Sequence, residues 1–166
     1  MGTGSSSHLA GELLKKALKT DLAHIPYKGG APAMADMIAG QVHFFFQTAV
    51  ASSPYINSGR LRAIAIAAPQ RSAILPSVPT FEESGMPGFE RSTWFGIFTQ
   101  REVPQPILAT LNETINRILR MDEVRGRLAT LDAEPVGGSI AEFAAFIKSE
   151  RARWGPIVKE ANIKAE

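Results

Sequence analysis

Three short stretches hold the residues best suited to chemistry. Gly4, Ser5, Ser6 and Ser7 close a small-residue stretch that begins at Gly2 and runs into His8. Tyr27, Lys28, Gly29, Gly30 and Ala31 form the second, and Gln47 and Thr48 open the third, which continues to Val50. Glycines and serines leave backbone N–H groups uncovered. Where such a stretch opens a helix, the first N–H groups have no intrahelical partner and carry the positive end of the helix dipole. Two such termini side by side bind a carboxylate or another anion. The hydroxyls of Ser5, Ser6, Ser7 and Thr48 would add hydrogen bonds, and Lys28 would add charge. The same composition also makes a plain capped turn, so the residues alone leave both readings open.

Other chemistries fail on residue content. A phosphate loop needs Gly-x-x-x-x-Gly-Lys followed by Ser or Thr, and a dinucleotide loop needs Gly-x-Gly-x-x-Gly; Gly2-x-Gly4 meets Ser7 where the third glycine should stand. His8 beside three serines invites a nucleophile–base reading, the basis of a hydrolase-type alternative. Adjacent positions seldom face each other as such a pair, however, and no Gly-x-Ser-x-Gly elbow occurs. Packing in the first helical turn and steadying the loop is the simpler role for His8. His24 and His43 stand too isolated for a metal site, and no cofactor is expected.

Strands and helices must position these loops. Leu9, Leu13, Leu14, Ala17 and Leu18 recur at helical spacing behind an N-cap at Ser6 or Ser7. Ala23–Tyr27 reads as a strand and Pro32–Ala39 as a helix stopped by Gly40. Val42–Phe46 reads as a strand buried on both faces, a helix follows to about Ser58–Gly59, and Leu61–Ala68 is a further extended segment. Strands alternating with short helices predict an α/β fold with a mainly parallel sheet flanked by helices, whose ligand loops cluster at the carboxyl ends of the strands.

From Pro69 to Pro87 a proline-rich connector follows, with Thr80 capping a turn through Ser84. Ser92–Phe98 could be a strand, with Trp94 and Phe95 as core or hinge. Helices follow from about Pro104 to Leu119, from Asp122, and from Ser139, where Ser139-x-x-Glu142 spells a capping box. The last helix has an apolar stripe of Phe143, Phe146, Ile147 and Trp154, and its Lys148, Glu150, Arg151 and Arg153 read as a solvated face. The first loop and helix have no strand before them, so the sequence reads as a piece of a longer protein.

Composition narrows the function classes. The 166 residues are 45% hydrophobic and 20% charged, which excludes a disordered chain. Eighteen basic against sixteen acidic residues leave a formal charge of +2 without a clustered basic face, so no nucleic-acid partner is expected. The absence of cysteine excludes a disulfide framework, a thiol nucleophile and thiolate metal sites.

Taken in order, the segments resemble the receptors of the tripartite tricarboxylate transporter system, the Bug family of TctC-like periplasmic solute-binding proteins. The likeness is carried by Gly2–Leu13 and Ile25–Ala33, and continues through Gly40-Gln41-Val42, Ser58–Ala63, Leu75–Thr80, Trp94-Phe95-Gly96 and Ala133–Ser139. It implies a type II periplasmic-binding-protein fold, two lobes closing over a dicarboxylate, tricarboxylate or acidic amino acid. It also implies delivery of that solute to a membrane permease, with no chemistry on the ligand and a periplasmic location. Such receptors bind through loops matching Gly4–His8 and Tyr27–Ala31, the stretches already singled out.

On this resemblance residues 1–90 are a second α/β lobe lacking its first strand. Residues 91–166 are a crossing strand and C-terminal helices that would pack on the absent first lobe. Gln47 stands where such receptors often have an acidic or Asn side chain. An open sheet and the apolar stripe of the last helix predict a homodimer or a segment-swapped oligomer, and half a clamp predicts weak carboxylate binding. An interaction or regulatory module reusing the fold is the other reading.

Overall fold

The structure, a computed structural model, describes residues 2–89 and 93–163. Among the described residues six helices follow one another: α1 (Ser6–Leu18), α2 (Gly30–Ile38), α3 (Ala49–Asn57), α4 (Gln105–Leu119), α5 (Asp122–Thr130) and α6 (Ile140–Glu160). The chain divides into two compact units, one of Met1–Ser92 with Glu150–Glu166 and the other of Thr93–Ser149. α6 therefore contributes its first part to the second unit and its remainder to the first.

Local chemistry sets the helix ends. Ser5, in extended geometry, caps α1 one residue earlier than expected, its Oγ accepting the His8 backbone N–H at 3.4 Å. Gly29, at φ +135°, turns the chain into α2 through a conformation only glycine adopts comfortably. Within α3, Pro54 removes the N–H that would have met the Val50 carbonyl, and the Ser53 hydroxyl donates there instead at 3.3 Å. The capping box before α6 forms as its spacing implies. Ser139 Oγ accepts the Glu142 N–H at 3.1 Å, and Glu142 Oε2 accepts the Ser139 N–H at 2.7 Å.

Thr80 repeats the device on a mere turn. Its Oγ1 accepts the Glu83 N–H at 3.1 Å while Glu83 Oε2 accepts the Thr80 N–H at 2.7 Å, and Arg71 holds the same carboxylate at 2.8 Å. The Arg71 guanidinium and then the Thr80 amide hold the Glu83 carboxyl below its ordinary value.

The expected sheet does not form among the described residues. Ala23–Tyr27, Val42–Phe46, Leu61–Ala68 and residues 93–98 build no ladder; Ser92, where the last was expected to start, lies outside the described residues. One parallel bridge joins Ile66 to Thr80, with the Ile66 N–H donating to Pro79 at 2.8 Å and the Phe81 N–H to Ile66 at 3.0 Å. β-Branched and aromatic content favours an extended backbone, but a ladder also needs a neighbouring strand about 4.8 Å away, and only Ile66 has one in register. Ile64 is 75% exposed, and Phe44, Phe45 and Phe46 are half-buried instead of enclosed on both faces.

The first unit keeps its core around Ala33, Met34, Leu75, Val78 and Phe89, all buried. A file of rings, Phe44, Phe46, Phe81 and Phe89, extends it, closing with a 4.4 Å stack between the last two. Part of the charged face of α6 belongs to this packing and is not solvated. Glu150 is buried and accepts the Trp154 indole N–H at 3.2 Å, and Arg153 lies over that indole and donates to the Gly88 carbonyl at 2.5 Å. Lys148 and Arg151 are exposed, as expected.

In the second unit Trp94 meets Phe143 and Phe146 edge-on at 6.1 and 5.2 Å, and Gly96 leaves room for the Phe143 ring. Phe143 and Phe146 are thus half-covered within the chain. Phe95, expected as core or hinge, is 94% exposed.

Candidate functional site

The three loops come together in the first unit. A methyl group on Gly2 would stand 3.9 Å from the Tyr27 carbonyl oxygen, and one on Gly30 would stand 2.5 Å from Gln47 Nε2. The first loop therefore borders the second and the second borders the third. The beginnings of α1 and α2, and the Gln47–Thr48 lead into α3, belong to one neighbourhood.

The first loop is held by hydrogen bonds within it. Ser5 N–H donates to the Gly2 carbonyl at 3.2 Å, Gly4 takes φ +76°, and Ser5 Oγ lies 3.1 Å from Ser7 Oγ. The Gly4 N–H donates to His8 Nδ1 at 3.1 Å. His8 is buried, its ring lies 3.7 Å from that of His24 at an interplanar angle of 10°, and its Nε2 is 3.7 Å from Glu12 Oε1.

The imidazole thus steadies the loop, as expected of a packed histidine. Glu12 is the acid partner that a catalytic reading would require, and its i,i+4 spacing from His8 made it findable. The ring nitrogen needed to activate a serine, however, is taken by a backbone N–H.

Elsewhere, Tyr27 is directed inward within the chain, its hydroxyl donating to Asp36 Oδ2 at 2.7 Å; that bond, before burial, raises the phenol's pKa. Lys28, Ala31, Ser6 and Thr48 are exposed. Gln47 turns its Oε1 back to accept the Thr48 N–H at 3.0 Å and leaves its amide nitrogen toward Gly30. Thr48 caps α3 through its backbone alone, with no capping bond from its hydroxyl.

A hollow of about 820 Å³ opens beside Gly30, Ala31 and Gln47, between α2 and α3. Met34 and Ile38 give it an apolar wall, and Arg60 stands over the Tyr55 ring at 5.6 Å. Tyr55 and Arg60 were not among the expected site residues. Arg60 follows the glycine that ends α3, a position offering no signal beyond its charge. His24 was missed as well. Its Nε2 is buried without a hydrogen-bond partner, and burial, followed by the His8 ring, holds its pKa below the ordinary imidazole value. No group of three metal-ligating side chains occurs among the described residues.

Residues 1–163 match the tripartite tricarboxylate transporter family receptor. Among curated relatives, a UPF0065 protein in the clcB-clcD intergenic region of Pseudomonas knackmussii is 36% identical over 158 residues, covering 95% of this chain and 94% of its own. Protein BugT of Bordetella pertussis is 35% identical over 97% of this chain and 49% of its own.

Among solved structures, an R. palustris protein with adipate superposes at a TM-score of 0.82, with 35% identity over 96% of this chain and 54% of that one. MatC from Rhodopseudomonas palustris with bound malate gives 0.78 at 35% identity, over 93% and 54%. The periplasmic binding protein BugD gives 0.80 at 32% identity, over 98% and 55%. The chain belongs to the tripartite tricarboxylate transporter receptor family, whose members are solute-binding receptors and not enzymes. It spans about half the length of BugT and of these solved relatives.

Proposed function

We propose that the chain forms the carboxylate-holding part of an extracytoplasmic receptor that captures a small dicarboxylate, tricarboxylate or acidic amino acid and passes it to a membrane permease. The observation that carries this is the meeting of three helix-leading loops, at Gly2–Tyr27 and at Gly30–Gln47. The Gly4–His8 and Tyr27–Ala31 backbones supply the N–H groups, Ser5, Ser6, Ser7 and Thr48 the hydroxyls, Gln47 an amide, and Lys28 a charge. Solved relatives holding malate and adipate support the ligand class, and a relative named as a periplasmic binding protein supports the compartment.

In this reading residues 1–90 serve as the second lobe and residues 91–166 as the crossing segment with helices that pack on a first lobe. Ligand capture works by lobe closure, and a single lobe binds weakly. The test is a backbone-amide NMR titration of the chain with malate, adipate, citrate and glutamate. Shifts confined to Gly2–His8, Tyr27–Ala31 and Gln47–Val50 are expected at millimolar ligand. Unchanged spectra at tens of millimolar would remove the proposal.

A further inference from the structure

We propose that His8 is the positioning residue of the first loop: by accepting the Gly4 N–H at Nδ1 it sets the turn presented to ligand, so that affinity follows the protonation of the His8–His24 stack. This rests on the carboxylate-site reading above. Gly4 takes φ +76°, which glycine adopts without strain, and beyond the neighbouring Ser5-to-Gly2 turn bond its amide is tied by the 3.1 Å bond to His8.

An Nδ1 that accepts has no proton, so the ring is neutral and its single proton sits on Nε2, toward Glu12. Protonation places a second N–H against the Gly4 N–H, and the bond is lost. The loop then loses the tie that orients its exposed backbone. A burial-depressed His24 stacked at 3.7 Å completes the device, because a charge on one ring repels a charge on the other.

Besides the His8 ring, the charged groups acting on His24 are the α-amino terminus, which lowers its pKa, and Glu12, which raises it. Glu12 lies on α1 itself. Asp21, on the segment leading to His24, is held by Lys15 at 3.1 Å, and Glu160 of α6 is held by Lys16 at 2.6 Å.

Two measurements test the inference. In the ligand-free chain, ¹⁵N spectra should find His8 as the Nε2–H tautomer, and the Gly4 amide should move with the same midpoint as the His8 ring. An Nδ1–H tautomer, or a Gly4 amide indifferent to that titration, overturns the proposal whether or not ligand binds.

With malate, the affinity of the wild-type chain relative to His8→Asn should fall about three- to tenfold between roughly pH 8 and 5.5, the change expected of one lost hydrogen bond. His8→Asn keeps an acceptor near the Nδ1 position without titrating. It should retain the affinity at pH 8, whereas His8→Phe, which keeps the stack but not the acceptor, should lose it at every pH. Retained affinity in His8→Phe, or a loss in His8→Asn as large as that in His8→Phe, would show that the acceptor is not what positions the loop, and would overturn the proposal. If malate moves no amide in any variant, the carboxylate reading fails while the tautomer measurement still decides the role of His8.

Discussion

Gly29 and Gly30 stand side by side at the start of α2 and answer to different constraints. At φ +135° Gly29 occupies backbone space that side chains rarely adopt, and Gly29→Ala should destabilise the chain by about 1–3 kcal/mol through strain alone. Gly30 has an ordinary backbone, and its added methyl would meet only the far end of the Gln47 side chain at 2.5 Å. Gly30→Ala should therefore cost less than about 1 kcal/mol while displacing the Gln47 amide from the site. Thermal denaturation of the two variants checks the order, and a larger loss for Gly30→Ala would refute it.

His24 gives a pH prediction of definite sign. Its folded pKa lies below the ordinary 6.5, so between the two values the unfolded chain binds more protons than the folded one. The contribution is present in full above about pH 6.5 and is lost as pH falls toward the lowered value. Tm measured on either side of that window should drop on acidification, and His24→Phe should flatten the slope. At this scale much was legible. The loops stood out by composition, and His8 by its helical position, but the His8–His24 stack joins residues sixteen apart through a fold that no local pattern encodes.

Elements behave differently according to whether they are stabilised from within or by a neighbour. Caps follow local spacing, so the Ser139-x-x-Glu142 box and the Thr80 cap were readable, and each forms, with Glu83 answering Thr80 as Glu142 answers Ser139. Ser139→Ala should destabilise α6 by about 1 kcal/mol, seen as a loss of helicity and Tm. The Ser139 amide and hydroxyl hold the Glu142 carboxyl below its ordinary 4.5. That support is accordingly present above pH 4.5 and disappears as pH falls through the lowered value, and Ser139→Ala, which removes the hydroxyl but keeps the amide, should weaken the acid-side dependence without abolishing it.

Strands have no such internal signature. Val42–Phe46 has the content of a buried strand, yet bends at Gln41–His43 and pairs with nothing regular among the described residues, because its ladder depends on a partner elsewhere in the chain. Ile66 forms its bridge only because the Pro79–Phe81 backbone passes beside it.

At the scale of the whole molecule the two units differ in what they bury. Among the described residues the buried hydrophobic side chains, from Ala33 to Phe89, all belong to the first unit, whereas Phe95, Ile97, Phe98 and Ile107 in the second are 94, 70, 66 and 51% exposed. Neighbouring large apolar side chains left in water favour association. The apolar stripe of α6 was the face first expected to meet another copy, yet Phe143 and Phe146 are half-covered by Trp94 within the chain, and the residues left open are those of the 95–98 segment.

We therefore expect self-association through that segment when the 166-residue chain is prepared alone. Light scattering should show a mass rising with concentration, and Phe95→Ser with Phe98→Ser should lower it. Neither substitution touches the loops of the first unit, so the malate-induced shifts at Gly4–His8 should survive them. A mass equal to one chain at every concentration would remove self-association, and a double variant that associates as strongly as the wild type would move the contact elsewhere.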